Sequence, residues 1–177
     1  MLKKALLALV LLIALLAAVI STRPAVYRVT RTATIAAPKE RVFALLDDYH
    51  KWADWSPWAK LDPNMKVTYD GPATGVGASY SWVGDSAVGE GKMTTLESRP
   101  AEYMKIKLEF IKPFESNSIA EFTLKPEGAG TNVSWDMSGK ADFMTKAFTL
   151  FSSMDSMVGP DFEKGLLQMK KLAEENR

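Results

Sequence analysis

The sequence contains no cysteine and only one histidine among its 177 residues. Without cysteine the chain cannot form a disulfide, a zinc–thiolate site, a thiol nucleophile or a cysteine-linked lipid anchor. A single imidazole also excludes metal sites that are built from several histidines. We expect no metal and no cofactor, and a fold of this size that is stabilised by its hydrophobic core.

An excess of charge of one sign is also missing. The chain has 22 basic and 21 acidic residues, and its formal net charge is +1. Domains that bind nucleic acid usually carry a clear positive excess, because they neutralise phosphates. The balance predicts no nucleic-acid partner, and the sequence identifies no protein partner.

Polar side chains are absent from residues 5–20, which follow Lys3 and Lys4. As a helix this run is about 24 Å long, short of the roughly 30 Å hydrocarbon core, although Ser21 and Thr22 extend it. Residues 1–22 are expected to be an uncleaved transmembrane anchor or a cleaved secretory signal, and we favour the anchor because the run contains no Ala-x-Ala cleavage site.

The two lysines favour a cytoplasmic N-terminus, which places the rest of the chain beyond the membrane. In this interpretation the protein is a single-pass membrane protein, attached through residues 5–22. The alternative is a secreted or periplasmic protein after signal cleavage. Residues 23–177 then form one domain, since their number suits a single hydrophobic core.

Six segments between residues 66 and 139 have the pattern of strands, and Gly- or Pro-containing turns separate them. In one of them Met104, Ile106 and Leu108 alternate with Lys105 and Lys107. Such alternation indicates an antiparallel sheet with one covered face and one wet face. A first strand over residues 27–36 and two short helices, over residues 39–46 and ending at residue 56, precede these six.

The C-terminal segment has apolar residues at helical spacing, and Asp142 is a suitable N-cap. Gly159-Pro160 is expected to kink this helix or to start a new one. The predicted fold is therefore α+β, with the order β-α-α-β6-α after an N-terminal apolar helix. A seven-stranded curved antiparallel sheet wraps around a long C-terminal helix.

Four local motifs accompany this order: Ile35-Ala36-Ala37-Pro38, the tryptophan segment Trp52–Trp58, the glycine-rich segment Gly71–Gly77, and the segment Gly159–Leu166. With them the chain resembles the helix-grip fold of the START-like (SRPBCC) superfamily. The resemblance is to the polyketide cyclase/dehydrase and lipid-transport group, in its membrane-tethered bacterial branch.

The resemblance implies a cavity between the sheet and the C-terminal helix that binds a small hydrophobic molecule such as a lipid, an isoprenoid or a polyketide. Some members are enzymes, and others are interaction domains similar to co-chaperone modules. The family has no universal catalytic motif, so no catalytic residue is carried over. Ligand binding without chemistry, a cyclase-like activity and a protein-interaction role all remain open, in that order of preference.

Large, soft side chains are abundant, with nine Met, five Trp and eight Phe. Such side chains suit adaptable apolar binding surfaces, although ordinary core packing is the alternative for each of them. The predicted ligand-binding residues are Trp55, Trp58, Trp82, Met93, Met104, Phe110, Phe122, Trp135, Met137, Met144, Phe148, Phe151 and Met154.

If the protein is an enzyme, Tyr80, Tyr103 and Glu90 are the candidate acid–base residues. His50 lies among charged residues and is interpreted as a surface residue. Asp136 is expected to be exposed, because strand alternation points it away from Trp135. Arg31 is an anomaly, since it shares a strand face with apolar residues.

Overall fold

The computed structural model describes residues 2–150 and 152–175. Its strands are β1 (Val26–Ile35), β2 (Lys66–Asp70), β3 (Ser79–Val83), β4 (Glu90–Arg99), β5 (Tyr103–Lys112), β6 (Ser116–Glu127) and β7 (Gly130–Lys140). They form one antiparallel sheet in the order β1-β7-β6-β5-β4-β3-β2. All seven predicted strands are present, with ends within two residues of the predicted ones.

The helices are α1 (Leu2–Ser21), α2 (Lys39–Leu46), a 3₁₀ turn (Tyr49–Lys51), α3 (Trp52–Trp55), α4 (Phe143–Phe148) and α5 (Met154–Glu175). The bounds of α2 are those predicted from its apolar spacing. The helix α3 stops where Ser56 adopts an extended conformation, with ψ of 128°. The helical region is disfavoured there because Pro57 follows.

The predicted alternation is confirmed on β5, where Met104 and Ile106 are fully buried. Their cross-strand partners on β6, Phe122 and Ala120, are buried as well. We call this side the concave face, and α2, α3 and α5 cover it. The sheet and the long helix confirm the predicted helix-grip fold.

The C-terminal helical segment is interrupted at a different place from the predicted one. Asp142 caps the short helix α4 by accepting a hydrogen bond from the Thr145 amide at 2.7 Å. The chain then leaves the helical conformation before α5 begins at Met154, whereas α5 continues through Pro160 without a break. Pro160 lies in the second turn of α5, so the hydrogen bond that it cannot make is lost close to the helix end.

Gly159 has a packing role rather than a helix-breaking one. A Cβ atom at this position would lie 2.0 Å from Nη2 of Arg31. Arg31 projects from β1 and donates hydrogen bonds to Glu163 at 2.6 Å and to Asp155 at 2.7 Å. These two ion pairs explain why Arg31 lies on the apolar concave face, because its guanidinium joins β1 to two carboxylates of α5.

The expectation that Asp136 is exposed is wrong. Asp136 does lie on the convex face, but its relative exposure is only 8%. Its carboxylate accepts hydrogen bonds from Arg28 at 3.0 Å, from Thr30 at 2.5 Å and from Ser134 at 2.8 Å. Neighbouring polar side chains on β1 and β7 shield it from solvent. The alternation of residues within one strand cannot predict burial by side chains of a neighbouring strand.

The sheet has two distinct ends. The start of β1, the end of β7 and the turn between β5 and β6 lie together, and we call this the α1 end because α1 precedes β1. The starts of β3 and β7 and the end of β1 lie at the opposite end. One cavity lies at each of these two ends.

Candidate functional site

Aromatic rings fill the middle of the concave face under α5. Trp135 stacks on Phe162 of α5, with ring centroids 4.0 Å apart and planes inclined by 7°. Trp58 meets both rings edge-on, at 6.0 and 6.2 Å. A Cβ atom at Gly165 would lie 2.8 Å from the Trp135 ring, so the helix touches the sheet directly here. This part of the interface has core packing.

Several of the predicted ligand-binding residues belong to this packed region. They are Trp55, Met104, Phe122, Trp135 and Met137, and each is at most 5% exposed. Trp58 is half-buried beside them. The indole nitrogen of Trp135 is buried and has no hydrogen-bond partner among the described residues. The structure uses these side chains to join the sheet, α3 and α5.

Open space lies at the α1 end, in what we call the α4 cavity. Its volume is about 180 Å³, and its walls come from the end of β5, the β5–β6 turn, the start of β6, and α4. It is lined by Phe110, Lys112, Pro113, Phe114, Glu115, Ser116, Asp142, Met144, Thr145 and Phe148. Three of the predicted ligand-binding residues, Phe110, Met144 and Phe148, thus meet at one cavity.

The concave face changes character along β5 as it approaches this cavity. Met104 and Ile106 are fully buried, whereas Leu108 and Phe110, on the same face, are only half-buried. The C-terminal half of β5 therefore presents apolar surface that the helices do not fully cover. An apolar wall with a few polar groups at its rim is typical of small-molecule sites.

The other predicted ligand-binding residues that the structure describes do not line the cavity. Trp82 contacts the Phe110 ring, with centroids 6.1 Å apart, and lies close over Gly91, where a Cβ would be 2.4 Å from its ring. Met93 is buried on the same face, and Met154 is half-buried at the start of α5. Phe151 lies outside the described residues.

A second cavity, the His50 cavity, lies at the opposite end of the sheet and has a volume of about 210 Å³. It is lined by Tyr49, His50, Tyr69, Asp70, Gly71, Pro72, Ala73 and Ser79. The His50 ring stacks on Tyr69 with centroids 3.9 Å apart, and its Nδ1 is 2.9 Å from Oδ1 of Asp48. Asp48 thus holds the imidazole in a defined orientation beside the cavity.

The three candidate acid–base residues do not meet at one site. Tyr80 lies on the concave face, and burial followed by the charge of Tyr69 raises its pKa to about 12. Tyr103 lies on the convex face, where burial and its hydrogen bond to Glu121 raise its pKa. Glu90 forms an ion pair with Lys112 at 2.7 Å. Both phenols stay protonated at neutral pH, so neither provides a phenolate that could act as a base.

Part of the α4 cavity was not predicted from the sequence. Phe114 stands alone between Pro113 and a polar segment, so no periodicity marks it as a wall residue. Its ring lies 5.6 Å from that of Phe148.

Within the described part of the chain, no three His, Asp or Glu side chains come together in a way that would hold a metal ion.

A family model described as polyketide cyclase/dehydrase and lipid transport matches residues 27–174. The chain belongs to this family. The match covers nearly the whole sheet, the 3₁₀ turn, α4 and nearly all of α5, and it includes every residue that lines the two cavities. A search among curated proteins finds no sequence similar enough to count as a relative.

Solved structures share the fold of this family member. Protein CV1439 from Chromobacterium violaceum is 20% identical, with a TM-score of 0.60, over 86% of this chain and 99% of that one. The Aha1 dimer from Colwellia psychrerythraea is 15% identical, with a TM-score of 0.57, over 84% and 96%. The di-domain ARO/CYC protein StfQ of the steffimycin biosynthetic pathway is 10% identical, with a TM-score of 0.65, over 85% and 51%. At these identities the similarity concerns the fold.

Proposed function

We propose that this protein is a membrane-tethered binder of a small hydrophobic molecule, and that the α4 cavity holds the apolar end of that molecule. The observation that carries the proposal is the half-buried Phe110 at the end of the apolar face of β5, which lines one cavity together with Met144 and Phe148. Membership of a family described by cyclisation and lipid transport is consistent with such a ligand.

The size of the cavity limits the ligand. Sites that enclose a whole drug-sized molecule usually have volumes of about 300–1,000 Å³. The α4 cavity, at about 180 Å³, is smaller. It suits one end of an alkyl or isoprenoid chain, while the remainder of the molecule stays outside the domain. A ligand of this kind partitions into membranes, so a tether keeps the cavity close to its source.

The helix α1 supports the tether. Its 20 residues span about 30 Å, the thickness of the hydrocarbon core. It is the one described helix that is long and apolar enough to cross a membrane, and nearly all of its side chains are exposed. We propose that it is an uncleaved single-pass anchor with the domain, residues 23–177, on the extracytoplasmic side, as the positions of Lys3 and Lys4 favour.

Filling the cavity tests the binding site. Ser116 lies at the start of β6, pairs with Phe110 across the strands and lines the cavity. Ser116→Trp is expected to abolish co-purification of an apolar molecule, measured by native mass spectrometry of the full chain extracted from its own membrane. A panel of phospholipids and quinones in a thermal-shift assay provides a second measurement.

The matched control is Asn117→Trp, which places the same ring on the next residue, on the opposite face of the sheet. It is expected to retain the bound molecule. If Ser116→Trp keeps the ligand as well as Asn117→Trp does, the ligand does not bind in the α4 cavity. If the unmodified chain carries no apolar molecule and no member of the panel shifts its melting temperature, the binding function itself is rejected.

A second candidate function is a cyclase-like enzyme, and the His50 cavity favours it. An imidazole that a carboxylate orients can act as a general acid or base. Tyr69 lines this cavity and offers a phenol donor, and the Tyr80 ring packs against it with centroids 5.6 Å apart. A cyclised product from a linear β-ketone thioester, lost in His50→Gln, would favour this function over binding alone.

A further inference from the structure

Four large apolar side chains at the α1 end are exposed to solvent. Phe114 is 51% exposed, Phe143 53%, Met144 45% and Phe148 54%. They form one surface, because Phe143, Met144 and Phe148 share α4 while the Phe114 ring contacts Phe148. We call this set the apolar rim. Contiguous exposed apolar surface of this kind marks an interaction site.

The apolar rim lies beside the last turn of α1. Nζ of Lys146, in α4, donates a hydrogen bond to the carbonyl of Ser21 at 3.4 Å, and Nη2 of Arg23 donates one to the carbonyl of Leu150 at 3.1 Å. Ile20, near the end of α1, is only 5% exposed, whereas the leucines before it are exposed. The structure therefore holds α4 next to the point where the apolar helix ends.

We propose that the apolar rim inserts into the interfacial layer of the phospholipid bilayer that α1 spans. This inference rests on the proposed tether. A spanning α1 ends at the membrane surface, so the adjoining α4 is held at that depth. The four apolar side chains then lie among the lipid chains rather than in water.

The composition of α4 fits this position. Its residues Phe143, Met144, Ala147 and Phe148 recur at the spacing of one helical face, and Lys146 lies off that face. Helices that lie in a bilayer interface have large apolar residues on one side and lysine or arginine on the other, where the cations meet lipid headgroups. Because Met144 and Phe148 also line the α4 cavity, the cavity opens toward lipid, and an apolar chain enters without crossing water.

The absence of cysteine allows a direct test with single introduced cysteines. The variants are Phe114→Cys and Phe148→Cys in the rim, Val10→Cys in α1, and Val76→Cys at the opposite end of the sheet. Val76 is the matched control, since it is apolar and 61% exposed. Each full-length variant carries an environment-sensitive fluorophore and is reconstituted into phosphatidylcholine–phosphatidylglycerol vesicles that contain lipids with a nitroxide on the acyl chain.

We expect the nitroxide lipids to quench the labels at positions 10, 114 and 148 strongly, and to leave the label at position 76 almost unchanged. Quenching at positions 114 and 148 that is no greater than at position 76, with position 10 quenched, overturns the inference and leaves the tether in place. Absence of quenching at position 10 overturns the tether and the inference together. A blue shift at positions 114 and 148 without lipid quenching assigns the rim to a second copy of the chain and overturns the lipid contact.

Discussion

At the scale of single residues, the buried Asp136 carboxylate is the clearest electrostatic feature of the sheet. Burial alone would raise its pKa, but hydrogen bonds from Thr30, Ser134 and Arg28 outweigh this effect, so the pKa lies below its ordinary value. A carboxyl group with a lowered pKa in the folded state stabilises the fold above the unfolded-state pKa, near 3.9, and this contribution is lost as the pH falls through the folded-state pKa.

Asp136→Asn is therefore expected to destabilise the domain by about 1–3 kcal/mol at neutral pH, because the three donors lose a charged acceptor. It should also flatten the decline in stability below about pH 4. Urea unfolding of the full chain at neutral and acidic pH measures both effects. Asp54→Asn, at an exposed position, is the control and should change stability by less than about 0.5 kcal/mol. Equal unfolding midpoints for the two variants would contradict the role of this network.

The position of Arg31 could be predicted from the sequence, but its partners could not. Its place on an apolar strand face is evident in the sequence, and the alternation identified it as an exception. Its partners are 124 and 132 residues away along the chain, on α5. No local pattern connects such positions, so the reason for the exception is visible only after folding.

At the scale of secondary-structure elements, α4 is the helix that Asp142 caps, and its residues form part of both the cavity wall and the apolar rim. The helix has six residues, too few to be stable by propensity alone. It depends on the Asp142 cap and on the contact between Phe148 and Phe114. The same short helix also provides Met144 and Phe148 to the cavity. Local unfolding of α4 should therefore disrupt the cavity while the sheet stays folded.

Asp142→Ala tests this dependence. Loss of an N-cap costs about 0.5–2 kcal/mol. Here we expect it to lower the free energy of local unfolding of α4 and to leave the global free energy of unfolding almost unchanged. Hydrogen exchange is expected to accelerate at the amides of α4 while those of β6 and β7 stay protected. The control is Glu115→Ala, which removes an acidic wall residue from the β5–β6 turn and should leave exchange in α4 unchanged. Slow exchange in α4 of Asp142→Ala would show that the cap does not hold this helix.

The elements themselves were predictable to different degrees. Strands with strict alternation, such as β5 and β6, were identified almost to the residue, since a period of two reflects one buried face. The interruption between α4 and α5 was placed wrongly at Gly159-Pro160. Glycine next to proline is normally a helix-ending signal, but here Gly159 is required by the approach of the Arg31 guanidinium.

At the scale of the whole molecule, the cavities lie at opposite ends of one sheet, and only the α4 cavity adjoins α1. Residues of α5 and the tryptophan segment fill the space between them. The proposed function therefore divides the domain into a lipid-facing end and a polar end that contains His50. The division depends on α1 being in the membrane.

Leu12→Arg tests the tether in the complete protein. A charged side chain near the middle of a spanning helix costs about 2.5–3.5 kcal/mol of insertion free energy. We expect less of this variant than of the unmodified chain in carbonate-washed membranes, whereas Leu12→Phe should remain there fully. N-terminal sequencing of the mature protein accompanies the measurement. A start near Thr22, or equal retention of both variants, would contradict an uncleaved anchor.

The amino-acid sequence by itself determined the fold class, the strand positions and the apolar N-terminal helix, because these follow from the local pattern of apolar and polar residues. Only the tertiary structure decided which apolar residues fill space and which border it. Trp135 and Phe110 look alike in the sequence, yet one is stacked under α5 and the other faces an opening. Burial depends on which surfaces meet across long sequence separations, and this information is not contained in the pattern of any single segment.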